Sequence, residues 1–411
     1  MESLRELYRI GYGPSSSHTM GPRFASERFL SSYPEGAKYQ AELYGSLAAT
    51  GKGHLTDAII RETFKNNGKD VEILWFPKIV KPFHTNALTL KSLDDDNKVL
   101  NEETYYSIGG GKVVTEEVND LTQVHIYPEE HFSSMKNLLK YCDSEGIQLW
   151  EAVIRFEGKE ILDFVNEVWT VMKQSIVTGL ENEGVLEGGL KLQRKASQFF
   201  AKSANSQGPF KTSNRPLAYA LAVSEENAGG GKIVTAPTCG SCGVLPSVLY
   251  YIRNQHDLAE IKILRALLTA GVVGNMVKQN GSISGAEVGC QGEIGVACAM
   301  AGAAATQLLG GSIYQIEYAA EMGIEHHLGL TCDPMMGLVQ IPCIERNAMA
   351  SMRSIDHALY SLLSDGRHKV SFDEVVTVMM ETGQALPSLY RETSQGGLAV
   401  VKQKQKQKKS S

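Results

Sequence analysis

Little in this chain points to a polymer partner or a membrane. A formal net charge of −6 is mild for 411 residues and supplies no basic stripe for nucleic acid. Hydrophobic residues make up 43 % and charged residues 21 %, which excludes an intrinsically disordered chain. The first residues, MESLRELYRIGYG, lack the apolar core of a signal peptide. The most apolar stretches, such as VACAMAGAAATQLLGG (296–311), are too short and too rich in small residues to span a bilayer. They read as tightly packed core helices. With no export signal, the expected compartment is the reducing cytoplasm, so the seven cysteines are not expected to form disulfides. Metal, catalytic and plain buried roles compete for them.

Several familiar motifs are also missing. GGGKVV (109–114) and AGGGKI (228–233) resemble phosphate loops only in their Gly-Lys pairs. The phosphate-loop pattern needs a further glycine where Tyr106 and Glu226 stand, and Ser or Thr where Val113 and Ile233 stand. Both runs therefore read as flexible loops with close backbone approach. No GxSxG elbow and no repeat of fixed period is present.

What is present falls into two parts. Residues 1–130 mix short strands and helices and predict a small α/β domain. ASERFLSSY (25–33) and HLTDAIIRETF (54–64) have helical spacing, the latter starting near Thr56 or Asp57. VEILWFP (71–77), NALTLKSL (86–93) and TQVHIYP (122–128) read as strands, and YYSIGGGKVV (105–114) as a strand interrupted where the backbone must turn. From 131 to 397 long helical patterns separated by Gly-rich loops predict a larger all-α domain, with Ser133 or Ser134 as its first N-cap. No strand-rich stretch is expected there. The fold class is thus α+β. The tail, 398–411, ends in VKQKQKQKKSS and is expected to be solvated and disordered.

Two groups of residues carry chemistry. In GYGPSSSHTMGP (11–22), Ser17 beside His18 has the parts of a nucleophile and its base. Sequence neighbours rarely point at one another in that way, and a Ser-rich helix cap is the plain alternative. The second group is cysteines. Cys142 and Cys298 lie in helical patterns and read as buried. Cys239 and Cys242 form a CxxC without the second CxxC or HxxxH of a structural zinc site, leaving metal, redox and buried roles open. Cys290, Cys332 and Cys343 each stand beside Gly or Pro, on irregular backbone rather than inside a helix. Iron–sulfur clusters take thiolates from such loops, although spacings of 42 and 11 residues are unlike tight ferredoxin runs.

SGAEVGCQGEIGVACAMAG, GIEHHLGLTCDPMMGLVQIPCIERNAMAS and GPSSSHTMGP, with YSIGGGKV, SEENAGGGKIVTAPT and YRETSQGGLA, resemble the iron–sulfur-dependent L-serine dehydratases (L-serine ammonia-lyases) of bacteria. The resemblance covers residues 5–399 in the single-chain order. It implies a 4Fe-4S cluster held by Cys290, Cys332 and Cys343 with one iron open, Cys298 not being a ligand. It also implies an N-terminal domain similar to the serine-sensing domain of phosphoglycerate dehydrogenases, an all-helical catalytic domain, a homodimer, and a place in serine degradation and gluconeogenesis. Two features depart from the pattern. The chain lacks the extreme C-terminal cysteine that can cap the open iron in that family, and Cys239 stands where Asn is common.

The implied reaction removes the α-proton and β-hydroxyl of L-serine, giving aminoacrylate and then pyruvate and ammonia. No sequence context for a Schiff-base lysine is evident, whereas an open iron would act as a Lewis acid on the hydroxyl. Of ten histidines, the resemblance makes His54 the base. It sits at a helix start, where the positive helix end would keep it neutral. His18 is expected to position substrate or share the proton. Ser15, Ser16, Ser17 and Thr19 are expected to hold the substrate carboxylate. His326 and His327, near Cys332, read as structural or as donors to the cluster's surroundings. Two rival readings stand beside this one. One is a related cluster-dependent L-cysteine desulfidase. The other is a non-enzymatic amino-acid sensor whose cysteines form a zinc or redox switch.

Overall fold

The computed structural model describes residues 1–116, 125–205, 209–392 and 396–401. A short turn at Leu4–Glu6 leads into strand β1 (Ile10–Tyr12), and a second turn at Ser16–Met20 runs directly into helix α1 (Gly21–Ser32). There follow β2 (Lys38–Tyr44), α2 (Gly45–Thr50), α3 (Thr56–Asn66), β3 (Val71–Phe76), β4 (Ala87–Leu93), β5 (Val99–Gly109) and β6 (Lys112–Thr115). The last five strands make one sheet in the order β3-β2-β4-β5-β6. Only β2 and β3 run parallel.

Apolar spacing explains these elements. Ile59, Ile60 and Phe64 recur on one face of α3 and bury against Phe29 of α1 and Tyr39, Leu88 and Leu90 of the sheet. The β5–β6 hairpin turns through Gly109, Gly110 and Gly111, all at positive φ (+112°, +58° and +82°), which an L side chain resists. TQVHIYP is different. Residues 122–124 lie outside the described residues, and His125–Pro128 are not in a strand.

The rest is helical: α4 (Glu129–Phe132), α5 (Met135–Glu145), α6 (Leu149–Glu157), α7 (Ile161–Glu181), α8 (Ala196–Asn205) and α9 (Pro209–Ala228). Strand β7 (Lys232–Val234) interrupts, then α10 (Val244–His256), α11 (Glu260–Asn280), α12 (Gly285–Val288), α13 (Ile294–Leu308), α14 (Ile313–Glu325), α15 (Cys343–Leu362) and α16 (Phe372–Ala385) complete it. Ser134 caps α5 by accepting the Asn137 amide at 3.1 Å.

Helix α13 is the centre of this part, packed against α10, α11, α14 and α15. Every residue from Ile294 to Thr306 is buried. Its small side chains let neighbours approach closely. A Cβ on Gly323 of α14 would sit 2.5 Å from the Ala299 backbone. No single described helix is long and apolar enough to cross a membrane.

Three expectations need correction. Strand β7 lies within the helical part, antiparallel to β1, so the chain's first twelve residues join the helical layer. Leu4, Leu7 and Tyr8 are buried in its core, and the Tyr8 hydroxyl donates to the Leu267 carbonyl at 2.9 Å. Cys343 is not on irregular backbone but opens α15. Residues 398–401 are ordered, the Leu398 amide donating to Asp333 at 2.8 Å, while 402–411 lie outside the described residues.

The α13–α14 contact is open to test. Gly323→Ala forces a methyl against backbone that has no side chain to move aside. It is expected to lower unfolding free energy by about 2–3 kcal/mol, measured by denaturant titration.

Candidate active site

The serine-rich turn is pinned on both sides. Towards the helical part, Gly13 donates its amide to the Gly231 carbonyl at 3.2 Å, and Asn227 donates to the Pro14 carbonyl at 3.0 Å. A Cβ on Gly13 would lie 2.2 Å from the Asn227 carbonyl oxygen, so no other residue fits. Towards the sheet domain, the Thr19 hydroxyl donates to the His54 carbonyl at 2.7 Å and Thr56 donates to the His18 carbonyl at 2.5 Å. Between these holds the chain makes a single π turn, Ser16–Met20, its entrance capped by Ser15 Oγ accepting the His18 amide at 3.1 Å.

This packing brings two imidazoles together, His18 and His54, with ring centroids 4.5 Å apart and planes tilted by 34°. Both are fully buried. His18 is bonded through both nitrogens: Nδ1 to Ser17 Oγ at 2.9 Å and Nε2 to Ser46 Oγ at 3.0 Å. Ser17 and His18 do point at one another, against the expectation for sequence neighbours, because the π turn swings both side chains to one side. His54 differs. Its Nδ1 faces the Thr50 carbonyl at 3.2 Å, and a carbonyl only accepts, so Nδ1 carries the proton. Its Nε2 is buried and has no partner among the described residues. Burial drives the His54 pKa down from 6.5 to about 4 and outweighs the Thr50 carbonyl, so the ring is neutral with a bare lone pair on Nε2. His18 is pushed well below its usual range by burial first, then by His54. The neutral state expected of His54 is therefore present, with burial as its cause.

His54 lines a small cavity between the two parts of the chain. Ser15, Ser16 and Ser17 lie on its wall, with the hairpin glycines Gly109 and Gly110. Across from the sheet domain stand Thr238, Glu293, Cys332, Cys343 and Glu392. Thr19 is not on the wall. Its hydroxyl is spent on the His54 carbonyl and on the Ser15 amide at 3.2 Å, so it holds the turn together.

Cys290, Cys332 and Cys343 converge. Cys290 sits in a turn whose amide donates to the Leu330 carbonyl at 2.9 Å, and the Cys332 amide donates to Tyr390 at 2.8 Å. Cys290 and Cys332 are buried and Cys343 half-buried. None is in a disulfide. Burial pushes all three thiols up, Cys290 to about 11 and the others further; Glu293, Glu392 and then Cys290 raise Cys332 again, and Cys290 raises Cys343. Gly285 permits this approach: a Cβ there would lie 3.0 Å from Cys332 Sγ and 2.8 Å from Glu293 Oε2.

Sequence reasoning passed over three residues here. Arg346, one turn into α15 from Cys343, brings its guanidinium beside Cys290, Cys332 and Cys343 and donates to the Thr331 carbonyl at 2.6 Å. Glu293 accepts from Thr238 at 2.8 Å and stands 3.6 Å from Cys332 Sγ. Glu392, at φ +55°, donates its amide to the Cys332 carbonyl at 2.6 Å. The spacing of Cys343 and Arg346 on one helix face was the available signal for Arg346.

Other candidates lie elsewhere. Cys239 and Cys242 are buried with Met20, Tyr219 and Ile233, Cys239 Sγ lying 3.8 Å from Met20 Sδ. Cys298 packs against Ser354 and His357, and Cys142 in the helical core. His327 bonds the Gly323 carbonyl at 2.8 Å and His326 pairs with His357 at 2.9 Å. Neither histidine bonds any of the three convergent cysteines.

Among the described residues, no three His, Cys, Asp or Glu side chains gather as ligands of one metal ion. Three unpaired cysteines beside the Arg346 guanidinium are a donor set of the chemistry that could hold a metal cluster.

The buried neutral state of His54 makes stability pH-dependent. Below 6.5 the unfolded chain takes up a proton that folded His54 refuses until about pH 4, so stability is full above 6.5 and falls as pH drops towards 4. The loss is expected to reach about 3 kcal/mol for this residue. His54→Asn is expected to show a shallower fall between pH 7 and pH 5 in thermal melts.

Comparison with known proteins agrees with this arrangement. Residues 3–68 match the family described as serine dehydratase beta chain, and residues 88–399 match serine dehydratase alpha chain. An L-serine dehydratase of Streptomyces coelicolor is 40 % identical over 453 aligned positions, covering 97 % of this chain and 98 % of that protein. L-serine dehydratase 1 of Escherichia coli is 40 % identical over 456 positions, covering 97 % and 99 %. An L-serine dehydratase of Haemophilus influenzae is 39 % identical over 460 positions, with the same coverage.

Proposed function

This chain belongs to the serine dehydratase family, and we propose that it converts L-serine to aminoacrylate and thence to pyruvate and ammonia, using a 4Fe-4S cluster held by Cys290, Cys332 and Cys343. The observation that carries this reading is the bare, buried Nε2 of His54 on a cavity wall shared with Cys332 and Cys343. A homodimer belongs to the same reading and rests on the resemblance alone.

Each side chain then has a task. The turn at Ser15–Ser17 presents hydroxyls and the first amides of a helical turn, a natural seat for the substrate carboxylate. His54 Nε2 accepts the α-proton. Its Nδ1–H, held on the Thr50 carbonyl, leaves the lone pair on Nε2. A base held near pKa 4 is weak, but a carboxylate seated beside it favours the imidazolium and strengthens it as substrate binds. His18, bonded at both nitrogens, keeps Ser17 in place and has no lone pair to spare. When bound, the cluster supplies a Lewis acid for the substrate hydroxyl, which is otherwise a poor leaving group. Arg346 offsets the negative charge that three thiolates bring into a buried site.

The reading separates ligand from base. Prepared without oxygen, the protein is expected to carry iron and acid-labile sulfide and to form pyruvate from L-serine. Cys332→Ala is expected to lose cluster and activity together. His54→Asn is expected to keep the cluster while kcat falls by roughly 10²–10⁴-fold. Retention of most of kcat in His54→Asn contradicts the assignment of the base. Faster pyruvate formation from L-cysteine than from L-serine would favour a desulfidase. Zinc without iron or sulfide would favour a sensor.

A further inference from the structure

A second cavity, of about 820 Å³, shares no lining residue with the first. It opens between α14, α15 and the segment His368–Val370, and its size suits a small organic ligand. Its wall holds Glu321, which is only 2 % exposed yet makes no hydrogen bond or ion pair with any described residue. An unpaired buried carboxylate is costly and asks for a partner. The nearest acids do not help: Glu317 already accepts the Phe372 amide at 2.7 Å and faces His368 at 3.1 Å. Burial first, then Glu325 and Glu317, push the Glu321 carboxyl up to about 8.

The rest of the wall fits a cation with an organic body. The Tyr318 ring lies flat on His368, centroids 4.1 Å apart, and meets Tyr360 edge-on at 6.0 Å, so an aromatic corner flanks the acid. Glu325 and Asp356 add negative charge, and Arg353 and Lys369 add positive groups. A carboxylate flanked by aromatic rings suits an ammonium. We propose that this cavity binds the primary ammonium group of a small aliphatic ligand, with Glu321 as its carboxylate partner and Tyr318 and Tyr360 beside it. Two sources share that chemistry. A diamine would place its far end against Glu325 or Asp356, and a zwitterion would place its carboxylate against Arg353.

Calorimetric titration of the full chain near neutral pH tests this with 1,4-diaminobutane and with 6-aminohexanoate, hexanoate being the control. Both probes are too long for the first cavity, of about 40 Å³. Saturable binding of at least one amine is expected, with none by hexanoate, and which amine binds identifies the source. Glu321→Gln keeps the shape and is expected to weaken binding at least about tenfold. Tyr360→Ala, at a position 59 % exposed and tolerant of change, is expected to weaken it several-fold. Absence of amine binding up to about 10 mM, equal binding of hexanoate, or undiminished binding by either variant overturns the proposal.

Discussion

Residues 13–19 are gripped from two sides, and the first cavity depends on that grip. On one side Gly13 lies against the Asn227 backbone with no room for a Cβ. On the other, Thr19 and Thr56 exchange hydrogen bonds with the carbonyls of His54 and His18. The same hydroxyls fix where the two imidazoles meet. The sheet domain therefore delivers its histidines to a place set by the helical part, and the N-terminal strand β1, paired with β7, anchors the delivery. Losing either grip would leave the histidines in position within their own domain but not opposite the cysteines.

Burial then sorts the charges. It holds His54 and His18 neutral, and it holds Cys290, Cys332 and Cys343 as thiols in the metal-free chain. Taking three thiolates into such a place is unfavourable unless a metal and a fixed cation accompany them. Arg346 provides the cation from within the chain. On the proposed reading, the acid–base group is ready before metal arrives, while the thiols ionise only with it.

Much of this was legible in the sequence because it resides in local pattern. The alternation in NALTLKSL, the helical spacing of HLTDAIIRETF and the small-residue run of α13 each gave the right element. The serine turn and the cysteine loops were visible as motifs. What was not visible came from contacts between distant segments. The Thr50 carbonyl that sets the His54 tautomer, the Ser46 hydroxyl on His18 and the β1–β7 pairing have no signature in any short stretch. Ser17 and His18 failed the rule for neighbours because a π turn, not a regular helix, carries them. Glu293 and Arg346 stood within quoted motifs. Their meaning appeared only once folding placed them against Cys332 and Cys290.

The central claim is that His54, on the cavity wall, waits as a neutral imidazole with its proton on Nδ1 and a bare Nε2. Nitrogen-15 NMR of the imidazole, assigned by comparison with His54→Asn, reads the tautomer directly. The account predicts a protonated Nδ1 and an unprotonated Nε2 at neutral pH, unchanged down to about pH 5. A proton on Nε2, or an imidazolium at pH 7, would contradict it.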